Sequence, residues 1–332
     1  MVKRFSKLRL PQLPRWGVVL IWVVGISLFT FVLYKLTRGM NHGILNPKGE
    51  IAERQRNLLA FATALSLLVI VPVYAMLFVF IWRYREGHKR SYKPNWDNDN
   101  TYEAIWWGIP ILIISVLAVV TWVTSHSLDP YKPLTSPKTP VRVQAVAMDW
   151  KWLFIYPEQN IASVNEVVIP TDTPVEFTIT SDGPMNSFWI PQLAGQIYAM
   201  SGMSTKLHIN AYNTGSYKGL SSNISGAGFS DMKFTVRAVN ETDYQQWVST
   251  IYASHNAMNE TVYNQLRKPS VNNQVVTYRV ISPGLYDSII ARYMHHDTSQ
   301  VNTTDRNTSS QTSLPDVAPA TNHTTHIMEG MQ

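Results

Sequence analysis

Few residues of this chain have a type and position that point to chemistry, and none of them is a cysteine. The 332 residues include no cysteine, which excludes disulfides, thiolate metal sites, a cysteine nucleophile, covalent haem c and cysteine-linked lipids. One acid, Glu103, stands directly before a long uncharged run. A carboxylate at the edge of such a run is costly unless it is hydrated or paired, which makes Glu103 a functional candidate. It is equally consistent with an interfacial acid hydrated by headgroup water or with a charge that favours a helix N-terminus.

Imidazole and thioether groups, which suit copper, are loosely grouped near the C-terminus. They are His295, His296, His323, His326, Met328 and Met331. Residues 297–332 are rich in Ser, Thr, Asn, Asp and Pro and contain almost no apolar residues, so nothing fixes the geometry of these ligands. We expect a disordered tail with incidental histidines rather than a metal-delivery site.

Three uncharged runs precede the rest of the chain and could cross a membrane. They are Gly17–Tyr34, Asn57–Trp82 and Ala104–Ser125, with 18, 26 and 22 residues. A span needs roughly 20 apolar residues, so we predict transmembrane helices at 17–36, 58–82 and 104–126. The first run also has the form of a signal peptide, and its cleavage would leave two helices. We favour retention because no clear small-x-small cleavage site follows it.

The basic charge of the chain gives the orientation of these helices. Residues 1–126 hold 15 Lys and Arg against 6 Asp and Glu, whereas residues 127–332 hold 13 against 16. Positive charge before the first run and between the second and third predicts cytoplasmic segments at 1–16 and 83–103. The loop at 37–57 and everything after the third helix then lie outside. The net charge of +6 is therefore an orientation signal and does not indicate a nucleic-acid partner.

The outer part reads as a small β domain with a helical extension. Six short β-prone runs are separated by clusters of Pro, Gly, Asp, Asn and Ser, which predicts a β-sandwich or barrel at 127–240. The runs are Val141–Ala147, Glu166–Ile169, Val175–Ile179, Phe188–Ile190, Lys206–Ile209 and Lys233–Val236. An extension at 241–296 has helix-compatible composition at Thr242–Ser254 and Glu260–Arg267.

Four strings resemble subunit II of the haem–copper terminal oxidases. They are Met148–Glu158, Met185–Gln192, Gln196–Met203 and Ser225–Phe234. The resemblance runs from about residue 46 to residue 295 and is closest to the cytochrome bo-type ubiquinol oxidases. It implies a membrane α + β fold class, with N-terminal transmembrane helices before an exported cupredoxin-like β-sandwich and a C-terminal helical extension. It also implies a multi-pass protein of the bacterial cytoplasmic membrane with its β domain in the periplasm.

The same resemblance tests for a binuclear copper centre. Relatives that oxidise cytochrome c hold it with two bridging thiolates, two imidazoles, a methionine sulfur and a backbone carbonyl. In this sequence the imidazoles fall on Asn186 and Phe229, the thiolates on Ser221 and Ser225, the carbonyl-donating Glu on Asn223, and the methionine on Met232. Only the methionine is retained. A serine hydroxyl does not ionise at neutral pH and phenylalanine has no lone pair, so the centre cannot form.

The resemblance therefore implies a non-redox, structural subunit of a proton-pumping quinol oxidase. Electrons would come from ubiquinol, and the haems and copper would lie in subunit I. The expected partners are subunit I, smaller membrane subunits and the lipid bilayer, and this chain is expected to bind no cofactor. In the family, a glutamate matching Glu103 guards the entrance of a proton-uptake channel of subunit I.

Two further expectations concern Met40 and three tryptophans. Met40 falls where many relatives carry a lipidated cysteine, so we expect an uncleaved first helix to replace the lipid as anchor. We expect the rings of Trp150, Trp152 and Trp189 to pack in cores and interfaces rather than to carry electrons. The alternative function is a membrane-anchored cupredoxin-like scaffold or receptor without an oxidase.

Overall fold

The computed structural model describes residues 27–28, 31–32, 35, 43–84, 99–280, 282 and 284–294. The few described positions between 27 and 35 are helical. Several predicted features lie outside the described part of the chain. They are most of the first predicted span, Met40, residues 85–98 of the predicted cytoplasmic loop, and the predicted tail with its His and Met residues.

Two long apolar helices lead into the outer domain. Helix α1 spans Glu50–Arg83 and helix α2 spans Asn100–Ser127. Both are long and apolar enough to cross a membrane, and their large apolar side chains are exposed along their length. At about 1.5 Å per residue, α1 is about 51 Å long, whereas a hydrocarbon core is about 30 Å thick. It begins seven residues before its uncharged run, so its first turns are long enough to stand outside the membrane.

The outer domain consists of two packed sheets. Its strands are β1 Val141–Met148, β2 Lys151–Tyr156, β3 Ile161–Val164, β4 Glu166–Pro170, β5 Val175–Ser181, β6 Asn186–Trp189, β7 Ile197–Ala199, β8 Thr205–Ile209, β9 Gly215–Ser221, β10 Lys233–Val239, β11 Ala257–Met258 and β12 Val276–Val280. One sheet has seven strands in the order β11-β12-β3-β2-β1-β5-β8, and the other has five in the order β4-β10-β9-β6-β7. This arrangement confirms the predicted β-sandwich.

Aromatic rings fill the space between the sheets. The ring of Trp152 lies 5.2 Å from that of Phe188 and 5.7 Å from that of Phe234, and all three side chains are buried. Five of the six predicted β runs lie within observed strands, and Phe188–Ile190 overlaps the end of β6. Strand β2 escaped prediction because all six of its residues are buried, and a strand covered on both faces does not alternate apolar and polar residues.

The C-terminal segment packs against the sandwich in two places: its first helix packs on the main core, and its later elements cover the outer face of the seven-stranded sheet. It contains α3 at Glu241–Ala253, α4 at Glu260–Leu266 and α5 at Leu285–Met294. The first two helices match the predicted ones. The segment is not entirely helical, because β12 pairs with β3 and β11 pairs with β12. It therefore extends the sheet as well as covering it.

The first turn of α1 is bonded directly to the outer domain. The amide of Lys48 donates to the carbonyl of Gln192 at 2.7 Å, and its own carbonyl accepts from the amide of Tyr212 at 2.8 Å. The amide of Glu50 donates to Oδ1 of Asn210 at 2.9 Å. A Cβ atom on Gly49 would lie 2.2 Å from the carbonyl oxygen of Asn210, so only glycine fits this approach. These bonds fix the position of the β domain on its membrane helix.

Candidate functional site

Strands β6 and β9 bring together two positions that the sequence analysis aligned with copper ligands. They are neighbours in the five-stranded sheet, with Phe188 opposite Ser221. The hydroxyl of Ser221 donates to Oδ1 of Asn186 at 2.8 Å, and both residues are buried. The amide nitrogen Nδ2 of Asn186 donates to the carbonyl of Pro184 at 2.9 Å. The two side chains thus satisfy each other by a neutral hydrogen bond.

The other aligned positions lie on residues 222–232, which we call the remnant loop. Nδ2 of Asn223 donates to the carbonyl of Met185 at 2.9 Å. Phe229 begins a short 3₁₀ turn, after which the amide of Met232 donates to the carbonyl of Phe229 at 3.1 Å. The carbonyl of Met232 accepts from the amide of Ser221 at 3.2 Å. The loop therefore folds back onto the end of β9.

Met232 and Ser225 differ in what surrounds their side chains. Met232 is buried and belongs to the main apolar core, so its sulfur packs against hydrocarbon. The hydroxyl oxygen of Ser225 is buried and has no hydrogen-bond partner among the described residues. The main-chain carbonyl of Ser225 accepts from Nε1 of Trp150 at 3.3 Å. Neither side chain is arranged as a copper ligand beside a thiolate.

A binuclear copper centre does not fit these residues. Such a centre needs thiolate bridges, and the whole chain has no cysteine. The oxygens present at the bridging positions belong to neutral hydroxyl groups, and that of Ser221 is already engaged with Asn186. Soft ligands are required because the metal must cycle through Cu(I). These side chains therefore form part of a structural loop and not a set of copper ligands.

Trp150 holds the remnant loop from the opposite sheet. Its backbone has φ 63°, a left-handed conformation that costs energy in a non-glycine residue. The indole covers Gly226 and Gly228, and a Cβ on Gly228 would lie 2.4 Å from the ring and 2.6 Å from Val271. The turn from β1 to β2 and the loop are therefore fitted closely to each other, which agrees with a packing role for this ring.

A second group of polar side chains surrounds Asp182, a buried acid that the sequence analysis did not single out. The carboxylate of Asp182 has no exposed side-chain surface. It accepts hydrogen bonds or ion pairs from the side chains of Tyr263, Arg267, Arg292 and Tyr293, at 2.7 Å from Nε of Arg267, 3.2 Å from Nη1 of Arg292 and 2.8 Å from the Tyr293 hydroxyl. We call these five residues the Asp182 cluster.

The Asp182 cluster joins the sandwich to the C-terminal segment. Its acid follows β5, whereas its four donors lie on or just after α4 and on α5, at least 81 residues later in the chain. Burial and the adjacent carboxylate raise the pKa of Tyr263 well above its usual range. A signal for this cluster exists in the sequence, since tyrosine and arginine recur in residues 253–294. The partner of these side chains is not visible there.

A buried lysine makes a second junction in the same place. Lys151 is almost fully buried, and its ammonium donates to the carbonyls of Leu266 at 2.9 Å and Lys268 at 2.8 Å. These carbonyls lie at the C-terminal end of α4, where a cation is favourable. Burial lowers the pKa of Lys151, and the charge of Asp149 partly opposes that shift.

Glu103 lies apart from these groups, in the first turn of α2. The helix is capped by Asp99, whose side chain accepts from the amide of Thr101 at 2.9 Å. Glu103 is exposed, and the uncharged run begins at the next residue. The rest of α2, about 36 Å of helix, lies between it and the outer domain. The structure thus does not bring Glu103 together with the aligned copper positions.

Comparison with known proteins assigns the family. Two family models match the chain: the one described as "Cytochrome C oxidase subunit II, periplasmic domain" at residues 159–239, and the one described as "COX Aromatic Rich Motif" at residues 253–297. Cytochrome bo(3) ubiquinol oxidase subunit 2 of Pseudomonas putida is 47% identical over 80% of this chain and 85% of its own length. Ubiquinol oxidase subunit 2 of Acetobacter aceti is 45% identical over 78% of this chain and 85% of its own length.

The chain belongs to the ubiquinol oxidase subunit 2 family. The resemblance found in the four sequence strings is therefore confirmed, as is the fold class of apolar N-terminal helices before a cupredoxin-like domain. A member of this family is part of a multi-subunit oxidase, membrane-anchored and with an exported domain. The four donors of the Asp182 cluster all lie inside the aromatic-rich motif. In this chain, the aromatic-rich motif therefore supplies all four side chains that surround the buried carboxylate of Asp182.

Proposed function

We propose that the chain is a non-redox, structural subunit II of a proton-translocating ubiquinol:oxygen oxidoreductase. It binds beside subunit I and smaller membrane subunits, and it covers the outer surface of subunit I with its β domain. Subunit I holds the haems and copper. The observation that carries this proposal is the neutral hydrogen bond between Ser221 and Asn186 at positions aligned with copper ligands.

The missing copper centre decides the electron donor. Without a metal at the outer surface, this subunit offers no relay from a soluble donor such as cytochrome c. A quinol can instead deliver electrons to subunit I from within the membrane. The names of the relatives, which specify ubiquinol, support that donor.

We further propose three spans in a bacterial cytoplasmic membrane, with domain boundaries as the sequence predicts. Helices α1 and α2 supply the second and third spans. The basic residues between them favour a cytoplasmic loop, which leaves the β domain in the periplasm. The apolar surfaces of α1 and α2 are exposed in the isolated chain, as expected of helices that meet lipid and other subunits.

Affinity purification of the tagged chain from its membranes tests the function. We expect haem to co-purify, together with oxygen uptake driven by ubiquinol. Reduced cytochrome c should drive no oxygen uptake in the same preparation. A haem-free preparation without quinol oxidase activity would contradict the proposal and favour a membrane-anchored scaffold or receptor.

Glu103 is proposed as a proton-uptake residue on the cytoplasmic side. Its exposed carboxylate at the start of a span can collect protons from water without paying the cost of burial. We expect Glu103→Gln to slow turnover and proton uptake by roughly tenfold, less than the roughly 10²–10⁴-fold lost with a group that transfers a proton in the chemical step, because Glu103 acts at the entrance and not at the reacting atoms. Haem content should be unchanged. Glu103→Asp should retain most of the activity.

The matched control is Glu260→Gln, which neutralises an exposed acid in the first turn of α4. It should leave turnover unchanged. Equal turnover of Glu103→Gln and the parent complex would remove Glu103 from proton uptake and leave it as an interfacial charge.

A further inference from the structure

An apolar groove lies where helix α1 meets the outer domain. Its volume is about 480 Å³, within the range of small-molecule sites. Among the described residues, the lining side chains are predominantly apolar, with one charged side chain, Lys218. The apolar ones are Ile44, Leu45, Leu59, Trp189, Pro191 and Leu220. The mechanism proposed above does not use this groove.

With the topology proposed above, on which this inference rests, the position of Leu59 puts the groove at the outer surface of the membrane. Leu59 lies nine residues into α1, about 14 Å from its start, and only two residues inside the uncharged run that begins at Asn57. It is 48% exposed, and its apolar neighbours along the helix are exposed to a similar degree. The groove is therefore continuous with the surface that α1 presents to lipid. A tryptophan in its wall, Trp189, is a residue favoured at membrane interfaces.

The turn before α1 adds apolar surface at the same level. Ile44 and Leu45 are 42% and 57% exposed, although each is large and apolar. Exposed apolar side chains in a turn are costly in water but favourable against acyl chains. Together with Leu59 they form one wall of the groove, and strands β6 and β9 form the other.

Lys218 gives the groove a positive edge. It lies on β9, two residues before Leu220, so both side chains lie on the same face of the strand. Lys218 is exposed, and within the described part of the chain no carboxylate forms an ion pair with it. An apolar groove with one ammonium group at its edge matches an acyl chain that carries a phosphate.

We propose that this groove binds one acyl chain of an anionic phospholipid of the outer leaflet, whose headgroup is held by Lys218. The lipid fills the space between α1 and the β domain and so supports their fixed orientation. It is expected to remain bound when the complex is purified, because both the chain and the headgroup have partners.

Photolabelling of the intact oxidase complex tests this site. The complex is placed in nanodiscs of phosphatidylcholine that contain a small amount of phosphatidylglycerol with a diazirine on its acyl chain. After irradiation, we expect labelled peptides from residues 43–45 and 215–221, in addition to the general labelling of lipid-facing residues on α2. That general labelling reports that the reagent works in every sample.

Two variants separate the headgroup from the chain. Lys218→Glu should reduce labelling of the groove peptides by about fivefold or more, and Leu45→Asp should reduce it by placing a charge in the apolar wall. Arg279→Glu, which reverses an exposed charge on β12, is the matched control and should label like the parent complex. Haem content and oxidase activity verify that each variant is assembled.

Several results would overturn the proposal. One is a complex in which α2 is labelled but the groove is not. This result is expected if another segment of this chain or another subunit fills the groove. A second is equal labelling of Lys218→Glu and the parent complex. A third is equal labelling of the groove by phosphatidylcholine with the same diazirine, which would exclude selection for an anionic headgroup.

Discussion

The remnant loop and the Asp182 cluster meet the same short connection between β5 and β6, yet they use opposite chemistry. At one end of the connection, Asp182 gathers two arginines and two tyrosines around a buried charge. At the other end, Asn186 and Ser221 share one neutral hydrogen bond. The aligned copper positions are thus occupied by groups that need no ion at all. The charge in this part of the domain serves to attach the C-terminal segment.

The difference teaches where each region gains its stability. The neutral side chains of Ser221 and Asn186 can occupy the positions of copper ligands at little cost in free energy, because their two polar groups satisfy each other. A buried carboxylate is costly unless it is fully paired, so the Asp182 cluster is stable only when the whole C-terminal segment is in place. We therefore expect substitutions in the cluster to have larger effects than substitutions in the loop.

Replacement of the central acid should have the largest effect. Asp182→Ala leaves two half-buried arginines, the buried Tyr263 and the half-buried Tyr293 without their acceptor, and we expect a loss of about 3–5 kcal/mol in stability. Thermal unfolding of the purified complex measures this loss. Protease cleavage of the chain after α3 reports whether the C-terminal segment has come away from the sandwich. Asp172→Asn, at an exposed turn position with φ 52°, is the control and should change little. A similar small change for Asp182→Ala would mean that the cluster does not hold the segment.

Tyr263→Phe should have the next largest effect and should depend on pH. At neutral pH it removes a hydrogen bond to a charged group, worth about 1.5–3 kcal/mol. In the parent, the raised pKa of Tyr263 keeps this residue protonated in the folded state, whereas the unfolded chain ionises near a pKa of about 10. The contribution of this tyrosine is thus complete below pH 10 and decreases as the pH rises above it.

The pH dependence supplies the control for that variant. Between pH 9 and pH 11 the stability of Tyr263→Phe should fall less steeply than that of the parent. The variant lacks one tyrosine whose pKa is raised in the folded state. Tyr286, whose pKa burial raises to about 12, remains and should still give a decline in both proteins. Parallel curves for the two proteins would show that Tyr263 does not ionise on unfolding in this range.

Gly228→Ala tests how tightly the remnant loop is fitted. The added Cβ would overlap the ring of Trp150 and a methyl group of Val271, and we expect a loss of about 1–3 kcal/mol. Gly215→Ala, whose Cβ would meet Tyr217 at an ordinary 3.5 Å, is the matched control. If quinol oxidation by the assembled Gly228→Ala complex equals that of the parent while its unfolding temperature falls, the loop is structural.

Ser221→Ala should have the smallest effect of the four. It removes one neutral hydrogen bond and leaves Oδ1 of Asn186 buried without its donor, a loss of about 1 kcal/mol. Turnover with ubiquinol should equal that of the parent complex. Ser222→Ala, which removes an exposed hydrogen bond to Gln196, provides the reference for a surface change. A large fall in turnover for Ser221→Ala alone would restore a catalytic role to this position.

Much of the site could be predicted from the sequence, because the chemistry of a ligand belongs to the residue type. Ser221 and Ser225 cannot bridge copper in any fold, and a chain without cysteine cannot supply thiolates. The six predicted β runs and the first two C-terminal helices were also visible, since β-prone runs bounded by turn residues and helix-compatible composition are local features. Strand β2 was not, because burial on both faces removes the alternation on which prediction depends.

The sequence alone determined the apolar helices, the oxidase family and the absence of thiolate ligands for copper. Tertiary structure alone decided which residues replace those ligands in contact, and it brought Asp182 together with Arg292, 110 residues later. It also formed the groove between α1 and Lys218. The physical reason is that residue type and short-range spacing set chemistry and local conformation. The partner of a buried charge or the wall of a groove depends on contacts between distant segments, which exist only in the folded chain.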